Sequence, residues 1–240
     1  MFGKNLKEIN NKKVINKNEK LFFQISKICS EIEFSYMKIY MKKKKNFLIK
    51  EKNFYLFIEE GFLEINKRIY NNKSLISCKN NAYIKSYNDI SFYMFFFRKV
   101  NSPKIFKITK LLATNVFLIN YNIKKKYWGE ILDLVNTDKG AIKIINMNRN
   151  TQSSMEFHIH KKENYFLDKG QLDLGIRYGR AKNAIIKLKK NNSFLMMPGT
   201  IHMRMAREDS KIVEMSTKDN DKDSIIIHDG KNYKFKIGKS

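Results

Sequence analysis

Cysteine and proline are scarce in this chain of 240 residues, which contains two of each. The two thiols, Cys29 and Cys78, lie far apart and suggest neither a disulfide framework nor a cysteine-based metal site, so we expect a cytoplasmic protein. Long apolar runs are also missing, and the richest, Ile90–Phe97, is far too short to cross a bilayer. The first residues carry charge without an apolar segment, so we expect no secretory signal and no membrane partner.

Acidic residues are few: 23 Asp and Glu stand against 48 Lys and Arg, which gives a formal net charge of +25 and a pI near 9.9. Such an excess can indicate nucleic-acid binding. Nearly all the basic residues are lysines, however, and they are spread along the chain rather than gathered in one stripe. We therefore expect small anionic molecules, rather than nucleic acid, as partners.

Short segments rich in β-branched and aromatic residues dominate the chain and are separated by polar turns. This spacing is typical of an all-β sandwich or barrel. Helical periodicity is weaker, although residues 16–32 can form an amphipathic helix with Leu21, Ile25 and Ile28 on one face. The strand-like segments of the second half are Ala141–Met147, Ser154–His160, Asn164–Ile176, Ala184–Leu188, Ser193–Pro198, His202–Ala206 and Lys211–Ser216.

The two halves of the chain resemble each other. Phe57–Ile65 is similar to Phe166–Leu174, and Asn80–Ser91 is similar to Asn191–His202, in the same order and at nearly the same offset. Such a repeat predicts two copies of one β-barrel unit. The expected organisation is a first domain at 1–100, a linker at 101–127 and a second domain at 128–240.

The stretch HIHKKE (158–163) carries the strongest chemical signal. Side chains alternate faces along a strand, so His158 and His160 should point the same way and hold one metal ion. Glu163 follows where the strand turns, and His202 supplies a fourth ligand from elsewhere in the chain. Although alternating polar residues usually mark a solvent face, three of the four histidines fall in this pattern. A mixed set of this kind suits Zn, Fe(II), Mn or Ni and leaves positions for substrate.

Two further charged residues share the parity of these ligands. Glu156 should point inward with His158, where it can touch the metal, act as a base or hydrogen-bond a ligand. Arg204 should face the same cavity as His202, where a guanidinium suits a phosphate or a carboxylate.

These motifs resemble the cupin superfamily, whose fold is a jelly-roll barrel, or double-stranded β-helix. Ser154–Gly170 is similar to the first cupin motif and Met196–His202 to the second. The short spacing from His160 to Glu163, together with Tyr127–Glu130 and Lys211–Thr217, resembles the branch of type II mannose-6-phosphate isomerases and the C-terminal domains of mannose-1-phosphate guanylyltransferases. The resemblance covers roughly residues 125–230.

The first copy departs from this pattern, because no histidine precedes His158. Alignment of the two copies puts Ile49, Glu51, Phe54 and Ser91 at the ligand positions. We therefore expect a bicupin in which the first barrel has no metal site.

The resemblance implies a metal-dependent isomerase or epimerase that acts on a phosphorylated or nucleotide-linked sugar. Glu156 or Glu163 would move a proton between adjacent carbons, and Arg204 would bind the phosphate. Two alternatives use the same site: an Fe(II) dioxygenase, and a sugar-binding cupin without turnover. A homodimer is one option for the assembly.

Overall fold

The computed structural model describes residues 23–43 and 45–236, which are built almost entirely of strands. Within these residues the one helical element is a short 3₁₀ turn at Asp221–Asp223. No helix in this part of the chain is long and apolar enough to span a bilayer. The all-β prediction is confirmed. The described chain divides into two compact units, 23–120 and 121–236.

The first unit consists of two antiparallel sheets. The larger has the order β1-β2-β9-β4-β7-β11 and the smaller β10-β3-β8-β5-β6. The strands are β1 Phe23–Ser30, β2 Ser35–Met41, β3 Lys45–Ile49, β4 Phe54–Glu60, β5 Leu63–Ile65, β6 Arg68–Tyr70, β7 Leu75–Cys78, β8 Ala82–Ser86, β9 Ile90–Phe96, β10 Ile105–Lys107 and β11 Val116–Ile119.

The second unit has the same construction. Its larger sheet has the order β12-β13-β14-β21-β16-β19 and its smaller sheet β18-β17-β20-β15-β22. The strands are β12 Asn122–Lys126, β13 Gly129–Thr137, β14 Gly140–Met147, β15 Met155–His158, β16 Glu163–Lys169, β17 Gln171–Tyr178, β18 Ala184–Lys189, β19 Ser193–Met196, β20 Thr200–Ala206, β21 Ser210–Ser216 and β22 Ser224–His228.

The strand orders show that the second unit repeats the first. In the larger sheets β1-β2-β9-β4-β7 corresponds to β13-β14-β21-β16-β19. The smaller sheets correspond strand for strand when the second order is reversed, so that β10-β3-β8-β5-β6 matches β22-β15-β20-β17-β18. Each unit passes from its larger to its smaller sheet at a glycine with positive φ, Gly61 at +82° and Gly170 at +87°. The similarity of Phe57–Ile65 to Phe166–Leu174 therefore identifies equivalent hairpins, and the prediction of tandem barrels is confirmed.

The second internal similarity joins strands that do not correspond. Asn80–Ser91 covers β8 and the start of β9, whereas Asn191–His202 covers β19 and the start of β20. Because β8 corresponds to β20, the ladder registers place Ala82, not Ser91, at the position of His202. Both segments begin with an Asn-Asn pair at a turn, and such turns recur between many strands.

Apolar side chains occupy the first barrel where the second has polar ones. Ile49, Phe54 and Ala82 belong to its buried core and offer no metal-ligand atoms. Glu51, which the alignment placed at a ligand position, instead pairs with Arg98 at 3.0 Å.

The predicted helix at residues 16–32 is wrong over its described part. Residues 23–30 form β1, which pairs with β2, and residues 16–22 lie outside the described residues. Phe23 and Ile25 pack against the first core, which a strand with alternating faces allows. Strand pairing here outweighs a weak local helical preference.

Residues 101–127, predicted as a linker, contribute strands to both units. Ile105–Lys107 pairs with β3 and Val116–Ile119 with β7, whereas Asn122–Lys126 pairs with β13. The boundary between the two units lies between Asn120 and Tyr121, within the range 101–127 that was predicted as a linker.

The stability of the fold is expected to depend on glycine at the hairpin positions. A Cβ at Gly170 would lie 2.5 Å from the backbone oxygen of Asp209, in a backbone conformation that favours glycine. We expect Gly170→Ala to destabilise the protein by about 3 kcal/mol, measured by urea unfolding. Gly179→Ala is the matched control, because its φ is also positive but no atom lies within 4 Å of the added Cβ. It should cost about 1 kcal/mol, and equal losses would contradict the steric argument.

Candidate metal centre

The interior of the second barrel changes character along its length. Apolar side chains fill one end, where Ile145, Ile212 and Leu167 lie side by side across β14, β21 and β16. These residues face inward, so every second residue further along each strand also faces inward.

The next inward rows on the same sheet are polar. Lys143, Glu214 and Tyr165 form one row across the three strands, and Ser216 and Glu163 form part of the following one. Glu163, Tyr165, Glu214 and Ser216 are buried almost completely. The larger sheet thus presents two carboxylates, an amine and two hydroxyls to the barrel interior.

The smaller sheet adds the opposite wall. Glu156 on β15 stands across the ladder from His202 on β20. Arg204 follows two residues later on the same face, and both His202 and Arg204 are buried. The predicted shared parity of His202 and Arg204 agrees with this arrangement.

The strand that carries the first histidine ends sooner than predicted. β15 stops at His158, because the Asp223 carboxylate accepts hydrogen bonds from the next three backbone amides, those of Ile159, His160 and Lys161, at 2.9–3.1 Å. The turn leaves the His160 side chain exposed and Lys161 buried. The expected alternation therefore breaks after His158, and the structure does not bring His160 to the other predicted ligands.

We expect the turn to depend on Asp223. Asp223→Ala removes three hydrogen bonds to a buried carboxylate and should destabilise the protein by about 3 kcal/mol. Amide hydrogen exchange at residues 159–161 should accelerate, as measured by mass spectrometry. The exposed neighbour Asp221 provides the control, and Asp221→Ala should leave these amides protected. Unchanged exchange in the Asp223 variant would show that other contacts hold the turn.

Three side chains converge as candidate metal ligands: Glu156, His158 and His202. One ligand atom from each lies within 4.8 Å of those from the other two. His202 Nδ1 lies 3.0 Å from the Thr200 carbonyl oxygen, which holds the ring so that Nε2 faces the cluster. Both ring nitrogens of His158 are buried without a hydrogen-bond partner. A metal ion would satisfy a nitrogen of His158 and could replace the Tyr165 hydroxyl, which lies 3.3 Å from His202 Nε2, so these residues fit one.

Glu163, the third of the four predicted ligands to come near, lies between the two imidazoles. Its carboxylate oxygens are 3.5 Å from His158 Nε2 and 3.5 Å from His202 Nε2. The same oxygens also accept from other groups, one from Lys161 Nζ at 2.7 Å and the other from the Tyr165 hydroxyl at 2.9 Å. Glu163 is thus part of the cluster and is already paired.

A network of buried charges surrounds the candidate ligands. Burial alone would raise the pKa of Glu163, but Lys161 and the two imidazoles hold it well below its usual range. Lys143 and Lys161 likewise overcome burial and lower the pKa of Asp219 to about 2. Burial raises the pKa of Glu214 and lowers that of His202, which favours the neutral imidazole that binds metals.

The network holds four carboxylates and three side-chain cations. Burial raises the pKa of Glu214 and so favours its neutral form, which would leave three carboxylates against the three cations. A divalent ion would add positive charge at the place where the ligand atoms converge. The groups counted are Glu156, Glu163, Glu214 and Asp219 against Lys143, Lys161 and Arg204.

Arg204 has partners within the protein. Its guanidinium lies 3.3 Å from Glu156 Oε1 and 3.4 Å from Ser153 Oγ. It also lies over the rings of Trp128 and Tyr165, at 5.7 and 5.5 Å from their centroids. A phosphate would have to displace Glu156 to reach it.

The pattern of histidines did not reveal several members of the cluster. Lys161, Glu214 and Asp219 were not predicted to face the site, although Glu214 shares parity with the buried Ile212 on β21. Alternation along Lys211–Ser216 would have found Glu214. No local pattern predicts that Lys161 points inward, because its position depends on the turn that Asp223 holds.

No family model matches the chain, and no curated protein matches it either. Solved structures do match. Oxalate decarboxylase from Lactobacillus farciminis, crystallised as a formate complex, aligns with a TM-score of 0.63 at 9% identity and covers 87% of this chain and 85% of its own. The 7S globulin of Momordica charantia gives 0.62 at 9% identity, with 85% and 80% covered. Oxalate decarboxylase from Bacillus subtilis gives 0.62 at 8% identity, with 85% and 74% covered. At these identities the likeness concerns the fold, and the chain has the bicupin fold of two tandem cupin barrels.

Proposed function

We propose that the second barrel binds one divalent metal ion through Glu156, His158 and His202 and acts with it on a small, oxygen-rich substrate. The observation that carries this proposal is the convergence of two imidazoles and a carboxylate in a buried cluster in which neither ring nitrogen of His158 has a hydrogen-bond partner. Zn, Mn, Fe and Ni all accept such a ligand set.

The reaction that we propose first is isomerisation or epimerisation of a phosphorylated or nucleotide-linked sugar. A bound divalent ion supplies polarisation of adjacent carbonyl and hydroxyl oxygens. Glu163 lies beside the three proposed ligands without being one of them, where its carboxylate can take a proton from one carbon and return it to the next. This arrangement supports proton transfer.

Attraction of an anionic sugar would come from the protein as a whole rather than from Arg204. The net charge of +25 raises the local concentration of anions, more strongly at low salt. Arg204 is better suited to hold Glu156 in place, since the two side chains form a largely buried pair. The substrate phosphate is expected to interact with exposed lysines instead.

A second candidate is an Fe(II) dioxygenase. Two histidines and one carboxylate are the ligand set that non-haem Fe(II) oxygenases use, and this is the composition of the converging group. Iron content and oxygen consumption separate it from the isomerase.

The test has two stages. Purified protein is first analysed for metals, and close to one divalent ion per chain is expected. Metal-restored protein is then offered sugar phosphates, the matching neutral sugars, aromatic diols and oxalate, with product formation and oxygen uptake both recorded. His158→Ala is the control and should lose any turnover. Isomerised sugar phosphate supports the first proposal, oxygen-dependent turnover of a diol supports the second, and absence of bound metal contradicts both.

A further inference from the structure

We infer that Lys161 is a positioning residue that keeps Glu163 out of the coordination of the metal ion. The ion then has three protein ligands, and its remaining positions stay open for substrate oxygens. This inference rests on the proposed metal site, which it makes more specific.

The two carboxylates near the histidines differ in how firmly they are held. Lys161 Nζ contacts Glu163 Oε1 at 2.7 Å, with both side chains almost completely buried. Arg204 lies further from Glu156 Oε1, at 3.3 Å, and the Glu156 side chain is 16% exposed. The short contact of Glu156 is to a neutral group, the Ser224 hydroxyl, which donates to Oε2 at 2.7 Å. Short charge-assisted bonds in a dry environment are the stronger ones. Glu156 can therefore turn toward an ion more easily than Glu163 can.

Lys161 cannot readily give up this partner. Its ammonium also contacts Asp219 at 2.8 Å and lies 3.9 Å from Glu214, so it is enclosed by carboxylates. Its backbone amide is fixed by Asp223 at 2.9 Å. If Glu163 moved to the ion, a buried ammonium would lose its closest counter-ion, and unpaired buried charges are strongly disfavoured.

Exclusion of Glu163 has a consequence for substrate binding. Zinc and non-haem iron sites with three protein ligands retain positions for water or substrate, whereas four protein ligands close a tetrahedral site. Two adjacent oxygens of a sugar or a diol could then reach the ion together. Lys161 would in this way decide whether the site is open.

The experiment measures Co²⁺ binding and its visible absorption spectrum, both of which respond to a change of ligand. The variants are Glu156→Gln, Glu163→Gln, Lys161→Met and the double variant Lys161→Met with Glu163→Gln. Lys143→Met is the matched control, because this buried lysine contacts Asp219 at 2.5 Å and Glu214 at 3.8 Å, and no contact with Glu163 is found for it. Circular dichroism checks that each variant is folded.

Glu163→Gln should change the Kd for Co²⁺ by less than about 3-fold and leave the spectrum unaltered, whereas Glu156→Gln should weaken binding by about 100-fold. Lys161→Met should free Glu163 to become a ligand, tighten binding by about 10-fold and shift the spectrum. The double variant should return to the wild-type spectrum. Lys143→Met removes an equal charge from the same network without freeing Glu163, so it should keep the wild-type spectrum whatever its effect on the Kd.

A loss of affinity in Glu163→Gln equal to that in Glu156→Gln would overturn the inference while leaving the metal site intact. Absence of Co²⁺ binding by the wild-type protein would instead refute the metal site itself, and the inference with it. If Lys161→Met does not fold, the comparison of the two glutamine variants still decides.

Discussion

Replacement of His202 by alanine is expected to weaken divalent metal binding by more than about 100-fold. The ring is completely buried, and its Nε2 is aimed at the cluster by the hydrogen bond between Nδ1 and the Thr200 carbonyl. The Tyr165 hydroxyl, 3.3 Å from this nitrogen, already donates to Glu163, and His158 would already serve the same ion. Metal content after dialysis and the Kd from calorimetry measure the loss.

The informative control is His160→Ala. Sequence alternation makes His160 an equal partner of His158, but its side chain is exposed beyond the end of β15. We expect this variant to keep its metal with an unchanged Kd. Wild type and His160→Ala should also gain about 2.7 kcal/mol of stability from metal at 100 times its Kd, and His202→Ala should gain almost none. Loss of metal from His160→Ala would mean that the turn held by Asp223 rearranges when the ion binds.

The second large effect concerns Arg204, which we expect to act in stability rather than in phosphate recognition. Arg204→Met leaves Glu156 and Glu214 buried without this cation and should destabilise the protein by about 3–5 kcal/mol. The loss should appear in chemical unfolding without any ligand, because the guanidinium pairs within the protein.

Arg207→Met is the matched comparison for Arg204. Arg207 contacts Asp173 at 2.6 Å, but its side chain is 58% exposed, and exposed ion pairs contribute about 0–1 kcal/mol. Thermal-shift assays with a sugar phosphate and its neutral counterpart complete the test. A stable Arg204 variant that binds only the neutral sugar would show that the guanidinium recognises phosphate after all.

Several features of this protein follow from local residue patterns. Short β-branched and aromatic segments with polar turns predict an all-β chain, because the pleat repeats every two residues whatever the strand packs against. Gly61 and Gly170 mark equivalent hairpins, since both turns require a positive φ that few other residues adopt. His158 and His202 could be recognised as ligands of one ion because the chain has only four histidines and because residues 196–202 resemble the second cupin motif.

Contacts between distant parts of the chain decided the rest. A carboxylate 62–64 residues further along, that of Asp223, ends the strand at His158 and so turns His160 outward and Lys161 inward. Arg204 faces the cluster, as its parity requires, but only the folded barrel shows that Glu156 on the neighbouring strand already pairs with it. Parity states which way a side chain points along a regular strand. Where the strand stops, and which charge meets which inside the barrel, depends on tertiary hydrogen bonds and ion pairs that a local pattern does not contain.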